Sequence, residues 1–488
     1  MHPGRVFYLI GRILLILAAA MLLPLLSALL FRQDDALAFA LSAAVTGSLG
    51  ALLLWLCRGY RRKSMHLRES FLLVSSVWLL AGFCGALPYQ FYGCFPDFAG
   101  CLFESVSGFT TTGSSALVDI EELPRGLLLW RSMTHWLGGA GIVLLFVALA
   151  QKDSSGEAFS LYKAEYSAGA AFSERLAVRI EDNAKLIFYV YLALSLLCTL
   201  TLLLCGMDLF DAVNHAMSTV STGGFSTKNA SIAAYDSPVT EWAVGLFLVL
   251  SSINFSLFYL LLIRRRWQDV VKDEELRAYL AVVAAATLLI TLDLLRNGYY
   301  GDQIPTALRQ AFFQVAGIIS TGGFITDNYD LWPSLSRGIL FLLLFAGGCS
   351  GSTASGVKFS RWVIGGKAIG QSLSTLIRPD LVSSVRYNGR RLTPELLHRV
   401  LVFLLLYLVL SAAGSLLLMI SGLPWMEAVA AAVSSIGNVG PGQGATGPAG
   451  NYAGLTGFAK IVSSFLMLAG RLEIYTVLAL FVPAIWKK

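Results

Sequence analysis

Four short polar runs, each ending in glycine, hold the residues of this chain best suited to chemistry. They are Thr110-Thr111-Thr112-Gly113, Val220-Ser221-Thr222-Gly223, Ile319-Ser320-Thr321-Gly322 and Gly437-Asn438-Val439-Gly440. Glycine lets the backbone take positive φ, so that successive carbonyls can point the same way. The chemistry such runs suit is the binding of a dehydrated cation by a ring of backbone oxygens, as in a selectivity filter. Small residues are equally at home where membrane helices pack closely, so one run by itself decides little. The glycines Gly113, Gly223, Gly322 and Gly440 are spaced 110, 99 and 118 residues apart. Four runs on that scale read as a repeat of whole subdomains. Asn438 departs from the Ser/Thr pattern, so the ring is not expected to be fourfold symmetric in detail.

The elements that must position these runs follow from composition. The 488 residues are 56% hydrophobic and 14% charged, with mean hydropathy +0.68. A soluble domain carries about 25% charged residues, and so few charges point to a multi-pass integral membrane protein. An all-α fold is expected, with four parallel repeats of helix, pore half-helix, filter and helix around one pore, after two extra transmembrane helices. Residues 1–69 hold those two helices, near 6–31 and 36–57, and a basic loop. The first is read as a retained helix, because it is too long for a signal-peptide core. Unit one spans 70–150, a cytoplasmic linker 151–183, unit two 184–275, unit three 276–394 and unit four 395–488. In each unit a segment of about 12 residues between two spanners is too short to cross and suits a re-entrant half-helix. The expected count is ten spanners and four re-entrant segments. Spanners near 239–264, 336–365 and 457–484 close units two, three and four.

Lysine and arginine fix the orientation. With the basic loop 58–68 inside, nine of the 36 lie outside or within the membrane. Both termini are then cytoplasmic, and all four glycine-ended runs lie at the outer side in one orientation, as parallel repeats.

Two places stand out for what they cost inside a membrane. Arg471 sits within the apolar run 461–482, where a charge costs roughly 2.5–3.5 kcal/mol and faces a cavity or a partner. Glu473 is two residues away on the same helix and so a poor partner. The stretch Gly347, Gly348, Ser350, Gly351 to Gly356 interrupts a spanner, and glycine weakens a helix by roughly 1 kcal/mol each. It lacks the Gly-Lys-Ser/Thr ending of a phosphate loop, and its bland reading is a packing seam. His135 and His215 read as hydrogen-bonded structural residues, Glu104 and Glu427 as braces, and Trp136–Gly141 as close helix packing. The basic segment Arg386–Arg391 is a docking surface or, by default, positive-inside charge. Seven cysteines show no metal spacing, and a Cys94–Cys101 disulfide is considered but not expected. No nucleophile–base pair, metal cluster or nucleotide motif is visible, so neither an enzyme nor a nucleic-acid partner is expected.

The runs Ser221-Thr222-Gly223-Gly224-Phe225 and Ser435-Ile436-Gly437-Asn438-Val439-Gly440-Pro441, with Leu468-Ala469-Gly470-Arg471-Leu472-Glu473, resemble the Trk/Ktr/HKT potassium-transporter superfamily, in its bacterial TrkH/TrkG branch. The resemblance covers essentially the whole chain. It implies potassium uptake through a carbonyl-lined filter in the bacterial inner membrane, with potassium bound at the filter residues and a lipid bilayer around the chain. It maps the family's selectivity glycines to Gly113, Gly223, Gly322 and Gly440. In plant relatives serine at the first position goes with sodium preference, and Gly113 there favours potassium. The resemblance further implies an arginine barrier at Arg471, an intramembrane loop at 346–356, a homodimer, and a cytoplasmic nucleotide-binding regulatory subunit of the TrkA kind. No cofactor is expected in this chain; the nucleotide belongs to that partner. The alternative is a symporter coupling potassium to a proton or sodium, which inverted repeats and midplane acids would favour.

Overall fold

The computed structural model describes residues 3–61, 67–150, 180–378, 380 and 384–483. The expected linker 151–183 lies outside the described residues up to 179, as do Arg62, Lys63 and His66 of the basic loop. The described chain is helical apart from one two-stranded hairpin.

Helices α1 (Pro3–Ala20) and α2 (Leu22–Leu30) form the first apolar span, and α3 (Ala36–Leu56) the second. In the first unit α4 (Leu67–Tyr92) is followed by the short α5 (Phe98–Phe109) and by α6 (Arg125–Ala150). Next come α7 (Ile180–Leu204), the short α8 (Leu209–Val220), α9 (Pro238–Ser251), α10 (Phe255–Leu262) and the five-residue α11 (Trp267–Val271). The third unit has α12 (Glu274–Arg296), the short α13 (Ile304–Ile319), α14 (Ser334–Leu343) and α15 (Phe359–Ile377). Strands β1 (Arg386–Tyr387) and β2 (Arg390–Arg391) pair antiparallel and lead into α16 (Pro394–Ile420). The short α17 (Trp425–Gly437), α18 (Gly457–Arg471) and α19 (Tyr475–Ala479) complete the chain.

Side-chain caps set many of the starts, as expected where the first N–H groups of a helix have no partner within it. Asp97 accepts from the Gly100 N–H at 2.9 Å, and Asp273 from that of Leu276 at 2.8 Å. Thr393 and Thr456 cap α16 and α18 in the same way.

By length and composition six helical stretches can cross a membrane: 4–30, 36–56, 69–92, 186–204, 274–296 and 394–420. They are only 28 to 44% buried, leaving an apolar outer face for lipid. The short helices α5, α8, α13 and α17 have the opposite character. At 12 to 16 residues they rise about 18–24 Å, too little for a 30 Å core. Their last turns are buried, with Met217 of α8 partly so.

The expected closing spanners are not continuous helices. That of unit two is broken between α9 and α10, with a bend of 95°. That of unit three is broken by residues 344–358, as its glycines foretold. That of unit four stops at Arg471, where Glu473 and Ile474 take φ of +54° and +40°. A break inside a bilayer survives only where other protein groups satisfy the freed backbone, and here they do. The Cys349 N–H bonds the Ser252 carbonyl at 2.9 Å and the Phe255 N–H bonds the Gly351 carbonyl at 3.0 Å, so the loop of unit three fills the break of unit two. Cys94 and Cys101 are free thiols.

Candidate functional site

Each short helix delivers its polar run from a C-terminal end. Thr110, Ser221 and Ser320 cap α5, α8 and α13 with near-helical backbone, and Gly437 is the last residue of α17. The next residue is left-handed in all four places: Thr111 at φ +54°, Thr222 at +55°, Thr321 at +58° and Asn438 at +53°. Two residues later comes a positive-φ glycine: Gly113 at +84°, Gly224 at +89°, Gly323 at +58° and Gly440 at +110°.

That backbone corrects the register drawn from sequence. The equivalents of Gly113 and Gly440 are Gly224 and Gly323, not Gly223 and Gly322. The latter pair stand with Thr112 and Val439, one position earlier. The glycine doublets Gly223-Gly224 and Gly322-Gly323 made the two registers indistinguishable by residue type.

The corrected set closes a ring. A Cβ on Gly113 would run into the Gly223 carbonyl oxygen, one on Gly224 into that of Gly322, one on Gly323 into that of Val439, and one on Gly440 into that of Thr112. Unit one thus abuts two, two abuts three, three abuts four, and four returns to one. The same four positive-φ glycines line a cavity of about 570 Å³ that also takes in Ser114, Phe225 and Pro441. Val220 and Ile319 are the last helical residues before the ring, and the Val220 carbonyl accepts from the Thr353 hydroxyl at 2.9 Å.

Buried side chains brace the ring from behind. Glu104 accepts from the Ala116 N–H at 2.9 Å and the Ser115 hydroxyl at 3.0 Å, and pairs with buried Arg131 at 2.9 Å. Arg131 also donates to the Ser226 carbonyl at 2.9 Å, tying unit one to unit two. His215 bonds Ser226 Oγ at 2.8 Å through Nε2, and Asp211 accepts from Thr227 at 2.7 Å. In unit three Thr326 donates to Gln310 at 2.5 Å. His135 stacks on Phe225 with centroids 4.1 Å apart. Both histidines are buried against the glycine-ended runs, and His135 Nδ1 accepts from the Phe225 N–H at 3.4 Å. Asn438 joins the last unit to the first, its Nδ2 donating to Thr112 Oγ at 3.0 Å and to the Met467 carbonyl at 2.9 Å.

On the helix side of the ring lies Arg471, 6% exposed. It donates to the Thr353 carbonyl, to Ser355 Oγ and to the Gly138 carbonyl, each at 2.9 Å. Gly138 belongs to the stretch read as close packing, and a side chain there would strike the Phe109 carbonyl. Arg471 therefore joins α6, α18 and the 344–358 loop. That loop has its neck at Gly347 and Gly356, with φ of +81° and +76°, where the two limbs leave no room for side chains. Its Ser355 N–H donates to Thr321 Oγ at 3.0 Å, so it touches the ring directly. Beside it is a cavity of about 40 Å³, lined by Tyr191, Phe255, Ser352, Gly470, Arg471 and Glu473 among others. That volume admits two or three waters.

Glu473 pairs with Arg361 of α15, not with Arg471. Sequence reasoning missed Arg361 as the partner of Glu473 and Thr353, Ser355 and Gly138 as partners of Arg471, because contacts more than 100 residues apart leave no local periodicity. No group of three or more metal-ligating side chains occurs among the described residues. The oxygens on offer are carbonyls and hydroxyls, hard ligands for a monovalent cation.

A family model described as TrkH cation transport protein matches residues 36–488. The chain is similar along its whole length to the Trk system potassium uptake protein TrkH of Salmonella typhimurium, with 34% identity covering all of both chains. It is 30% identical to the Trk system potassium uptake protein TrkG of Escherichia coli, covering 100% of this chain and 99% of that one. Among solved structures, the crystal structure of the potassium transporter TrkH from Vibrio parahaemolyticus superposes with a TM-score of 0.88, at 30% identity and over the full length of both chains.

Proposed function

Because the chain belongs to the TrkH cation transport family, a family of transporters and not of enzymes, we propose that it is the membrane subunit of a Trk-type potassium-uptake system and conducts potassium through the ring of carbonyls at Thr112, Gly223, Gly322 and Val439. The observation that carries this reading is the cyclic set of contacts in which each positive-φ glycine faces the carbonyl of the next unit. Oxygens arranged about one axis replace the hydration shell of an ion. The short helices end at the ring, so their negative dipole ends favour a cation there.

In this reading the chain is four parallel units around one pore behind two extra helices, with both termini cytoplasmic in the bacterial inner membrane. Arg471 is the electrostatic barrier below the filter and the 344–358 loop is its gate. Two such chains form a dimer, and a cytoplasmic nucleotide-binding subunit moves the loop. The coupled-carrier alternative is not favoured, since the four runs share one backbone geometry and one sense.

The test uses the two members of one glycine doublet. Gly323 has positive φ and its Cβ would strike the Val439 carbonyl, whereas a Cβ on Gly322 meets mainly the end of the Leu248 side chain. Tracer rubidium and sodium fluxes into liposomes are expected to lose their rubidium preference in Gly323→Ala and to keep more of it in Gly322→Ala. Equal preference in both variants and the wild type would sink the ring assignment.

A further inference from the structure

Glu275 is the second residue of α12 and is 3% exposed. Its carboxylate gathers donors from two distant parts of the chain. Oε1 accepts from the Ser350 N–H at 2.6 Å and the Ser360 N–H at 2.9 Å, and Oε2 from the Tyr387 hydroxyl at 3.3 Å. Ser350 lies in the intramembrane loop, Ser360 in the first turn of the helix that leaves it, and their hydroxyls bond each other at 2.6 Å. Tyr387 is the buried residue of the β1–β2 hairpin, between exposed Arg386 and half-buried Asn388.

The hairpin is docked on the same helix end. Asn388 Nδ2 donates to Asp273 at 2.8 Å, and its Oδ1 accepts from the Glu274 N–H at 2.9 Å. Lys367 pairs with Glu274 and donates to the Arg386 carbonyl at 2.9 Å. From the loop, contacts run on to the ring at Thr321 and Val220 and to Arg471. A carboxylate holding several donors fixes their relative positions, and such charge-assisted bonds are about twice as strong as neutral ones.

We propose that Glu275 is a positioning residue, the joint through which the Arg386–Arg391 hairpin sets the place of the intramembrane loop. Displacing the hairpin withdraws Tyr387 from the carboxylate and loosens its hold on the loop and on the helix that follows. This rests on the reading of the loop as a gate, and the experiment separates the two. Cys349, beside Ser350, is 1% exposed and reports loop release through its thiol. The full-length protein in liposomes is treated with a water-soluble methanethiosulfonate, labelling of the Cys349 peptide is followed by mass spectrometry, and rubidium flux is measured in parallel. Tyr387→Phe removes one hydroxyl and keeps the packing, and Glu275→Gln removes the charge and keeps the shape.

Labelling is expected to rise roughly tenfold in Tyr387→Phe, the scale of one hydrogen bond to a charged group, and at least as much in Glu275→Gln. Flux is expected to rise with it. Unchanged labelling in both variants overturns the joint. If Glu275→Gln does not fold, Tyr387→Phe alone decides. Raised labelling with unchanged flux upholds the joint and overturns the loop as gate.

Discussion

Arg471 is held by two carbonyls and a hydroxyl from two other units, so a single side chain stitches α6 and the 344–358 loop to α18. Removing the side chain takes away a positive charge whose cost at membrane depth is a few kcal/mol. Arg471→Ala is therefore expected to raise rubidium flux by roughly tenfold to a hundredfold, with tracer uptake into liposomes as the check. A lysine cannot span the same three acceptors with a planar fork, so Arg471→Lys should fall between the two. The Glu104–Arg131 pair makes a different prediction. Both side chains are buried to about 1% or less. Breaking such a pair costs roughly 3–5 kcal/mol, so Glu104→Ala should lower the thermal unfolding midpoint of the purified protein markedly, independent of any change in selectivity.

At the scale of elements, the breaks in the closing helices are the informative feature. The loop between α14 and α15 is held at its neck by two glycines whose missing side chains let the limbs meet. In Gly347→Ala the new methyl would strike the Ser355 carbonyl in a backbone that L residues rarely adopt, a strain of about 1–3 kcal/mol. Ser355 is also a partner of Arg471, so this variant is expected to leak rubidium without any regulatory subunit. Composition and run length foretold the short helices and the glycine-rich loop, because both signals are local. The breaks at Ser252–Asn254 and Leu472–Ile474 were hidden, because each is only three residues long inside an otherwise apolar run, and at the first the distant loop of unit three supplies the bonds that the helix gives up. The register of the ring was half legible. Glu104, His215 and Gln314 each lie nine residues before a positive-φ glycine, a spacing that selects Gly224 and Gly323 over their neighbours. That signal was in the sequence, but it needed the knowledge that Glu104 and His215 brace the ring and that Gln314 lies on Thr326, 3.3 Å from its hydroxyl.

For the molecule as a whole, the distinction is between an ion moving down its own gradient and an ion carried by another. The potential contributes about 2.3 kcal/mol per charge per 100 mV. A pore that couples to nothing else brings tracer rubidium to about fiftyfold accumulation at 100 mV, negative inside, and no further. That plateau should be indifferent to a sodium or proton gradient of either sign. Accumulation beyond it, or a plateau that follows either gradient, would restore the symport reading.

The ring is closed by Asn438 reaching back to Thr112 across 326 residues of one continuous polypeptide, with Gly440 packed on the Thr112 carbonyl beside it. Where four identical subunits assemble such a ring, one codon changes every quadrant together. Here each quadrant has its own codon, so a substitution perturbs a quarter of the ring and leaves the others as internal controls. The stoichiometry is covalent and cannot be diluted by mixed assembly. Each quadrant is free to specialise: three present a threonine at the left-handed position and the fourth an asparagine whose amide fastens the seam.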